Sequence, residues 1–483
     1  MFLSLAVAAS GAEDCTPCHR KQTQAYATTG MAQSISVYKS RTGEVGHAFS
    51  ESRFLIKHSG RAMLHRIERR GLVSEQAVAL TMGSGRVGQS FGVVIGDRLF
   101  ESPVSWFSQS ARWGMSPGYE MDVAPEFDRK IEAECLFCHT SGRPASVVDL
   151  KPIACENCHP AALPGHFSNP ARLPPLEQDR GCEACHLQGE ARVLDPGQSW
   201  SDPRPSFTTY VSSPPPQGLR VVSQVEQLAL SKCVRESAGK LRCGSCHNPH
   251  GAPKPTEQVC AGCHAGRLSN SHVNYRDGCV RCHMPRQPTP EVAHTAYTNH
   301  RIQIPGSAEA VASGDRALRA WREPPAALRE RGQGLAYVYA GQREESAEWV
   351  QKGFVLLLAL RAKDAAVYSA LGSVLMQKSR PAEAVQMYDA ALRLCPADTE
   401  TAHNLAVAEL AAGNTSGAID RAERAISIDP YYERSWLMLV GVYTHLDKPA
   451  LRAATIERYL KLVPQNLTFR TLQRAGAPKL TGP

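Results

Sequence analysis

The chain has 483 residues, a length that exceeds a single hydrophobic core and predicts more than one domain. Hydrophobic residues make up 42% of it, and no stretch approaches the roughly 18 apolar residues of a membrane-spanning helix, so no transmembrane segment is expected. The formal net charge of +8 excludes little by itself, because bound acidic cofactors could cancel it.

The N-terminus begins with a short apolar run, Met1 to Ala9, followed by the small residues Ser10 to Ala12. An apolar run that ends in small residues is typical of a secretory signal peptide and its cleavage site. The positively charged segment that normally precedes such a run is missing, so residues 1–12 are interpreted as a signal-peptide remnant. We therefore expect a periplasmic or secreted location.

The sequence Cys-x-x-Cys-His occurs seven times and uses 14 of the 16 cysteines. The pattern is the attachment signature of c-type haem, in which both thiols bond the porphyrin and the histidine binds its iron. Zinc ribbons need four ligands per metal, and thioredoxin-like motifs occur once per domain, so neither explains seven copies followed by histidine. We predict seven covalent haems, each with one iron. Motifs 1 to 7 are Cys15, Cys18 and His19; Cys135, Cys138 and His139; Cys155, Cys158 and His159; Cys182, Cys185 and His186; Cys243, Cys246 and His247; Cys260, Cys263 and His264; and Cys279, Cys282 and His283.

Residues 13–303 contain all seven motifs and are predicted to form a loop-rich heptahaem domain with short helices. Such a haem-packed domain needs few apolar side chains, because the porphyrins provide apolar surface to bury. Alternating stretches at 53–56 and 89–95 predict β-hairpins in the long segment after motif 1. Seven haems would also add about 14 propionate charges, which argues against reading the basic net charge as nucleic-acid binding.

The sixth ligand of each iron decides whether a haem only passes electrons or also binds a substrate. Eight histidines of the haem half lie outside the motifs, enough to give every haem a second histidine. The expected distal ligands are His47, His166, His250, His272, His294 and His300. His58 and His65 lie in the predicted hairpins, where a strand-surface role and a ligand role are equally compatible with the sequence. Met31 could bind an iron, although packing against a ring is the more ordinary role.

Residues 326–470 are rich in Ala and Leu, have a helical period, and are predicted to form an all-α solenoid. A 34-residue repeat is visible, and Pro396, Pro430 and Pro464 lie one period apart. The pattern resembles the tetratricopeptide-repeat family, whose units are pairs of antiparallel helices. The remaining boundaries are a linker at 304–325 and a tail at 471–483.

A second resemblance is carried by the motif surroundings. These are Cys155–His159 with His166, Cys182–Arg192, Lys240–His250, and Cys279–Pro285 with His294 and Thr298–Ile302. They resemble exported multihaem cytochromes related to the tetrahaem electron acceptor of hydroxylamine oxidoreductase, some of which end in tetratricopeptide repeats. The resemblance implies that a histidine shortly after one motif binds the iron of another haem. One departure is Val87, at a position where relatives can have a histidine.

The leading hypothesis is periplasmic electron transfer through the haems, with the repeats docking a partner or assembling a complex. The expected partners are a redox donor, a redox acceptor and a protein bound by the repeats; self-association stays open. An alternative is an oxidoreductase that acts on a small nitrogen or sulfur species at one haem with an open sixth site. A third hypothesis makes the repeats primary and the protein a scaffold.

Overall fold

A curled antiparallel sheet, a region of short helices and hairpins, and a helical array follow one another along the chain. The computed structural model describes residues 15–36, 41–47, 50–141, 150–159, 161–163, 166–216, 218–264, 278–292, 294–306 and 316–476. The expected signal-peptide remnant lies outside these residues. Within them, no helix combines the length and the apolar character needed to cross a membrane.

The N-terminal region consists of helix α1 (Thr16–Tyr26) and a nine-stranded antiparallel sheet. The strands are β1 (Ile35–Ser36), β2 (Gly43–Gly46), β3 (Ser52–Ser59), β4 (Ala62–Arg69), β5 (Leu72–Met82), β6 (Gly88–Ile95), β7 (Arg98–Glu101), β8 (Val104–Phe107) and β9 (Arg112–Met115). The main order is β2-β3-β4-β5-β6-β8-β9, with β1 on β5 and β7 on β6. The stretches predicted as hairpins lie in β3 and β6, so the sheet is much larger than the sequence indicated.

The sheet curls because alternate side chains are buried and its two ends approach each other. In β4, Met63, His65 and Ile67 are buried while their neighbours are half-exposed, as expected for a strand with one face on a core. Trp113 of β9 donates its indole N–H to the carbonyl of Thr42 at 3.2 Å, which brings β9 next to β2. The interior of the curl is therefore a closed, largely aromatic core.

The middle region is built from short elements, as predicted for the motif-bearing part of the chain. Its helices are α2 (Ala133–His139), α3 (Cys155–Cys158), α4 (Pro175–Gln178), α5 (Arg180–His186), α6 (Gln224–Leu230), α7 (Lys232–Glu236), α8 (Cys243–Cys246), α9 (Thr256–His264) and α10 (Cys279–His283). Its strands are β10 (Ala161–Leu163), β11 (His166–Phe167), β12 (Ala191–Leu194), β13 (Phe207–Ser213), β14 (Arg286–Pro288) and β15 (Ala296–Thr298). Strands β10 and β11 form one hairpin, and β14 and β15 form another.

Part of the segment expected to be a linker is a strand. Strand β16 (Ala317–Ala320) pairs antiparallel with β13 and completes a three-stranded sheet with β12. The backbone N–H of Leu318 donates to the Tyr337 hydroxyl at 3.1 Å, and the Leu318 side chain is buried. Burial of this side chain against the first repeat explains the order of a segment whose composition alone suggests a loop.

The C-terminal helices confirm the tetratricopeptide architecture. They are α11 (Arg329–Arg343), α12 (Ala347–Ala359), α13 (Ala365–Gln377), α14 (Pro381–Leu394), α15 (Thr399–Ala411), α16 (Thr415–Ile428), α17 (Glu433–His445), α18 (Pro449–Leu462) and α19 (Leu467–Arg474). Helices α13, α15, α17 and α19 begin 34 residues apart, and so do α14, α16 and α18. Side chains of Asp364, Asp398 and Asn466 accept hydrogen bonds from first-turn N–H groups and fix three of these starts.

The first repeat is fixed to the middle region through a buried carboxylate. Glu190, which follows motif 4, is almost fully buried, and Arg220 donates to it at 2.9 Å. Arg316 and Arg343 lie 3.5 and 3.6 Å from the same carboxylate, and Arg343 belongs to α11. A carboxylate that leaves water needs such partners, so this cluster joins the two regions at a defined position.

The last repeat is fixed to the curled sheet by a second buried carboxylate. Glu126 accepts hydrogen bonds from the backbone N–H groups of Leu467 and Thr468 at the start of α19, at 2.6 and 2.7 Å. Arg69 of β4 donates to the same side chain at 2.6 Å. The repeats are therefore held by the rest of the chain at both ends.

Candidate cofactor sites

Each motif lies on one helical turn or at a helix start, which sets the two thiols side by side. Six motifs have both cysteines inside α2, α3, α5, α8, α9 or α10, and residues three apart share one face of a helix. In motif 1, Cys15 is the N-cap of α1 and Cys18 lies in its first turn. The backbone of His19 leaves helical geometry, with φ −119° and ψ 37°. The local fold thus presents two thiols and a neighbouring imidazole together.

Several histidines donate their Nδ1–H group to a backbone carbonyl. The contacts are His159 to Ser168 at 2.9 Å, His283 to Gln303 at 2.7 Å and His300 to Thr298 at 2.9 Å. Because a carbonyl can only accept, the proton lies on Nδ1 and the lone pair lies on Nε2. This tautomer is the one found in metal sites, where the carbonyl orients the ring and Nε2 binds the metal. The accepting carbonyls follow the histidine at varied distances, so the sequence alone did not reveal them.

Two motif histidines each face a histidine that the sequence predicted as a distal ligand. The ring centres of His159 and His250 are 5.8 Å apart, and the ring planes are inclined by 29°. The ring centres of His247 and His300 are 6.1 Å apart, with planes inclined by 21°. Two imidazoles that bind one metal ion from opposite sides have ring centres about 6 Å apart, because each metal–nitrogen bond is about 2 Å long. Both pairs therefore fit two-sided ligation of an iron.

The motifs are neighbours in space in a continuous series. Thiols lie within hydrogen-bonding reach for Cys15 and Cys155, Cys138 and Cys185, Cys182 and Cys243, and Cys260 and Cys279. Electrostatic contact also joins Cys158 to Cys182 and Cys246 to Cys260. The resulting order is 1-3-4-5-6-7, with motif 2 beside motif 4. No motif is isolated from the others.

The acidic residues around motif 4 fix its position. Arg322, just after β16, donates to both carboxylate oxygens of Glu183 inside the motif, at 2.6 and 3.0 Å. Asp179 accepts from the backbone N–H of Cys243 at 3.2 Å. The ligand atoms of Asp179, Cys182 and Cys243 lie within 4.8 Å of one another, close enough to hold a metal ion. Since both cysteines belong to attachment motifs, we assign them to porphyrin bonds.

The other histidines predicted as ligands lie in different surroundings. His47 follows β2, and His294 precedes β15 and packs edge-on against Phe107 of β8, with ring centres 5.4 Å apart. The backbone of His166 begins β11. The side chain of His166 and all of His272 lie outside the described residues, so the structure leaves these two ligand predictions as they stand.

The residues of the motif region fit a covalently bound haem. The test is the chemistry of the donor set: paired thiols on a helical turn, imidazoles with the lone pair on Nε2, and facing imidazoles at the spacing of two axial ligands. Burial lowers the pKa of His139 and of His300, which keeps both imidazoles neutral, the form that binds a metal. Cys233, outside the motifs, lies near Cys263 of motif 6.

No protein-family model matches the chain, and no curated protein matches it. Similar solved structures include the APC/C hetero-tetramer Cut9–Hcn1, with 20% identity over 30% of this chain and 29% of that chain, at a TM-score of 0.26. YrrB, a TPR protein with an unusual peptide-binding site, has 17% identity over 31% of this chain and 75% of its own, at 0.26. MamA has 18% identity over 29% and 81%, at 0.24. The repeat assignment therefore rests on the helix spacing of this chain.

Proposed function

We propose that the protein transfers electrons through seven covalently bound c-type haems. The observation that carries the proposal is the continuous series of motifs, in which every motif has at least one other as a direct neighbour. Cofactors attached to touching motifs lie close to one another, and close spacing is what electron transfer between haems requires. An isolated motif would have argued against a conducting series.

The residues of each motif have separate roles in this function. The haem supplies one-electron redox chemistry at its iron. The paired cysteines hold the porphyrin in place, and the motif histidine provides the proximal nitrogen. His250 and His300 provide the second nitrogen for motifs 3 and 5, and ligation by two neutral histidines gives low reduction potentials. Carbonyl groups such as that of Ser168 orient the rings and raise their basicity.

The repeats are proposed to dock a protein partner or to assist assembly. Their inner helices leave a cavity of about 460 Å³ beside α17 and α19, lined by Leu437, Gly441, His445 and Leu472 among others. Because the array is anchored at both ends, a partner bound there would be held at a defined position relative to the motifs. Covalent haem attachment takes place outside the cytoplasm, so the proposed location is the periplasm or the exterior.

A haem assay and a redox titration of the intact protein test the proposal together. We expect seven haems that remain attached under denaturing conditions, and reversible reduction over a broad low-potential range. A chain purified after expression with a haem-attachment system that carries fewer than seven haems, or haems that cannot be reduced and reoxidised reversibly, would overturn it. A variant with Cys243→Ala and Cys246→Ala should lose only the haem of motif 5.

A further inference from the structure

The histidines of the curled sheet carry their protons differently from those of the motif region. His47 donates its Nε2–H to the carbonyl of Glu120 at 3.0 Å, and its Nδ1 accepts from the Ser50 hydroxyl at 2.9 Å. A carbonyl only accepts, so Nε2 carries the proton, which is the reverse of the tautomer of His159. Both ring nitrogens of buried His47 are therefore used by the protein.

His58 shares this pattern, since it donates its Nε2–H to the carbonyl of Arg41 at 3.1 Å. His65 is enclosed instead. Its Nδ1 bonds the Ser102 hydroxyl at 2.7 Å, and its ring packs edge-on against Phe91 and Trp113, with ring centres 5.0 and 5.6 Å away. The residue is 2% exposed, so no cofactor edge reaches its Nε2 without opening the core of the sheet.

His294 is exposed, but its Nε2 is already bonded. Arg112 of β9 donates from Nη2 to Nε2 of His294 at 2.8 Å. A guanidinium is always protonated and can only donate, so it occupies the lone pair that an iron would need. Gln109 holds the same junction by bonding both the carbonyl and the N–H of Ala296, at 3.0 and 2.9 Å. The junction between the β8–β9 hairpin and the β14–β15 hairpin thus fixes His294 against the sheet.

These four histidines change the ligand balance. The haem half has eight histidines outside the motifs, and removing four leaves His166, His250, His272 and His300 for seven haems. We propose that His47, His58, His65 and His294 are not axial ligands, and that at least three of the seven haems keep a sixth position for a small external ligand. Motifs 3 and 5 are not among these, because His250 and His300 face them. This inference rests on the proposed function.

The ligand class follows from the chemistry of an iron with five nitrogen ligands. In the ferrous state such a haem binds small uncharged molecules that accept electron density, namely carbon monoxide and nitric oxide, whereas a haem with two protein ligands does not bind them readily. The protein would accordingly both conduct electrons and bind a diatomic molecule at several of its haems. That combination favours the hypothesis of an oxidoreductase acting on a small nitrogen species.

Carbon monoxide titration of the reduced holoprotein tests the inference without any variant. We expect at least three carbon monoxide molecules bound per chain, and at least three high-spin ferric haems by EPR of the oxidised protein at neutral pH. Two or fewer bound molecules, or seven low-spin haems, would overturn the inference and leave the proposed function intact. A protein without seven attached haems would instead contradict the proposed function.

Paired variants locate the ligands. His47→Asn and His294→Asn should leave the number of low-spin haems unchanged, while His250→Ala and His300→Ala should each convert one low-spin haem to high-spin and add one carbon monoxide site. A low-spin haem lost in either asparagine variant would show that the residue is a ligand after all. A low-spin count above four in the unaltered protein would point to a ligand such as Met31 and would also contradict the inference.

Discussion

The repeat helices and the motif helices differ in what holds them in place. Helix α11 buries nine of its residues and α13 buries six, which gives the repeats a continuous core of side chains. Helices α2, α3, α5, α8, α9 and α10 have no buried residue in the part of the chain that the structure describes. The comparison teaches that the repeats carry their own core, whereas the motif region depends on hydrogen bonds, ion pairs and the porphyrins that we propose.

The largest expected effect is that of producing the chain without haem. Because cofactor binding would supply most of the apolar burial of the motif region, this region should not fold stably without it. Limited proteolysis with mass-spectrometric mapping should show rapid cleavage within residues 133–306 and a resistant fragment that contains residues 329–474. Equal resistance of the two regions would remove the contrast between them.

The next largest effect concerns the join between the repeats and the sheet. Glu126→Ala removes the partner of Arg69 and the acceptor for the first N–H groups of α19, all of them buried. Loss of one partner of a buried ion pair typically costs 3–5 kcal/mol, so we expect a decrease of about 4 kcal/mol in the free energy of unfolding. Urea unfolding followed by far-UV circular dichroism measures it.

An exposed ion pair of the repeats is the matched control for Glu126. Arg380 and Glu383 pair on the surface of α14, with about half of each side chain exposed (49% and 48%). Glu383→Ala should therefore change the free energy of unfolding by about 0.5 kcal/mol or less. A loss as large as that of Glu126→Ala would mean that the result reflects the removal of a charge and not the buried join.

The two regions also differ in how far their sequence predicted them. The repeats were predictable because a 34-residue period fixes the helices, and Pro396 and Pro430 mark their ends locally. The motif cysteines were equally local signals. The state of a histidine was not, because the acceptor for His47 is the carbonyl of Glu120, which the chain brings there only through the folded sheet. Ligand counts from sequence thus overestimate the histidines available to iron.

A single core residue tests whether the repeats are stable independently of the motif region. Leu371 of α13 is fully buried, and Leu371→Ala should cost about 3 kcal/mol of unfolding free energy through lost burial and a cavity. Leu358 of α12 is 50% exposed, and Leu358→Ala should cost about 0.5 kcal/mol or less. The haem absorption spectrum should be the same in both variants. A changed spectrum in Leu371→Ala would show that the two regions unfold together.

The smallest effect is a pH dependence at the join between the last repeat and the sheet. Burial, together with the nearby carboxylates of Asp128 and Glu126, raises the pKa of Glu433 from 4.5 to about 8. The folded chain then binds more protons than the unfolded chain between these pH values, so stability is greatest below about pH 4.5 and falls as the pH rises toward 8. Tyr459 and Asn466 donate to this carboxylate at 2.9 and 2.8 Å and offset part of the cost of ionisation.

Because of those two donors, we expect the loss between pH 5 and pH 8 to be on the order of 1 kcal/mol, less than one pKa unit's worth of interaction. Urea unfolding at pH 5, 6.5 and 8 measures it as the difference between the unaltered protein and Glu433→Gln, which cancels the titration of the haem propionates. The glutamine keeps the acceptor for Tyr459 but cannot ionise, so its stability should fall less over this range. Parallel curves for the two proteins would mean that Glu433 is ionised throughout, and that the join is held by its hydrogen bonds alone.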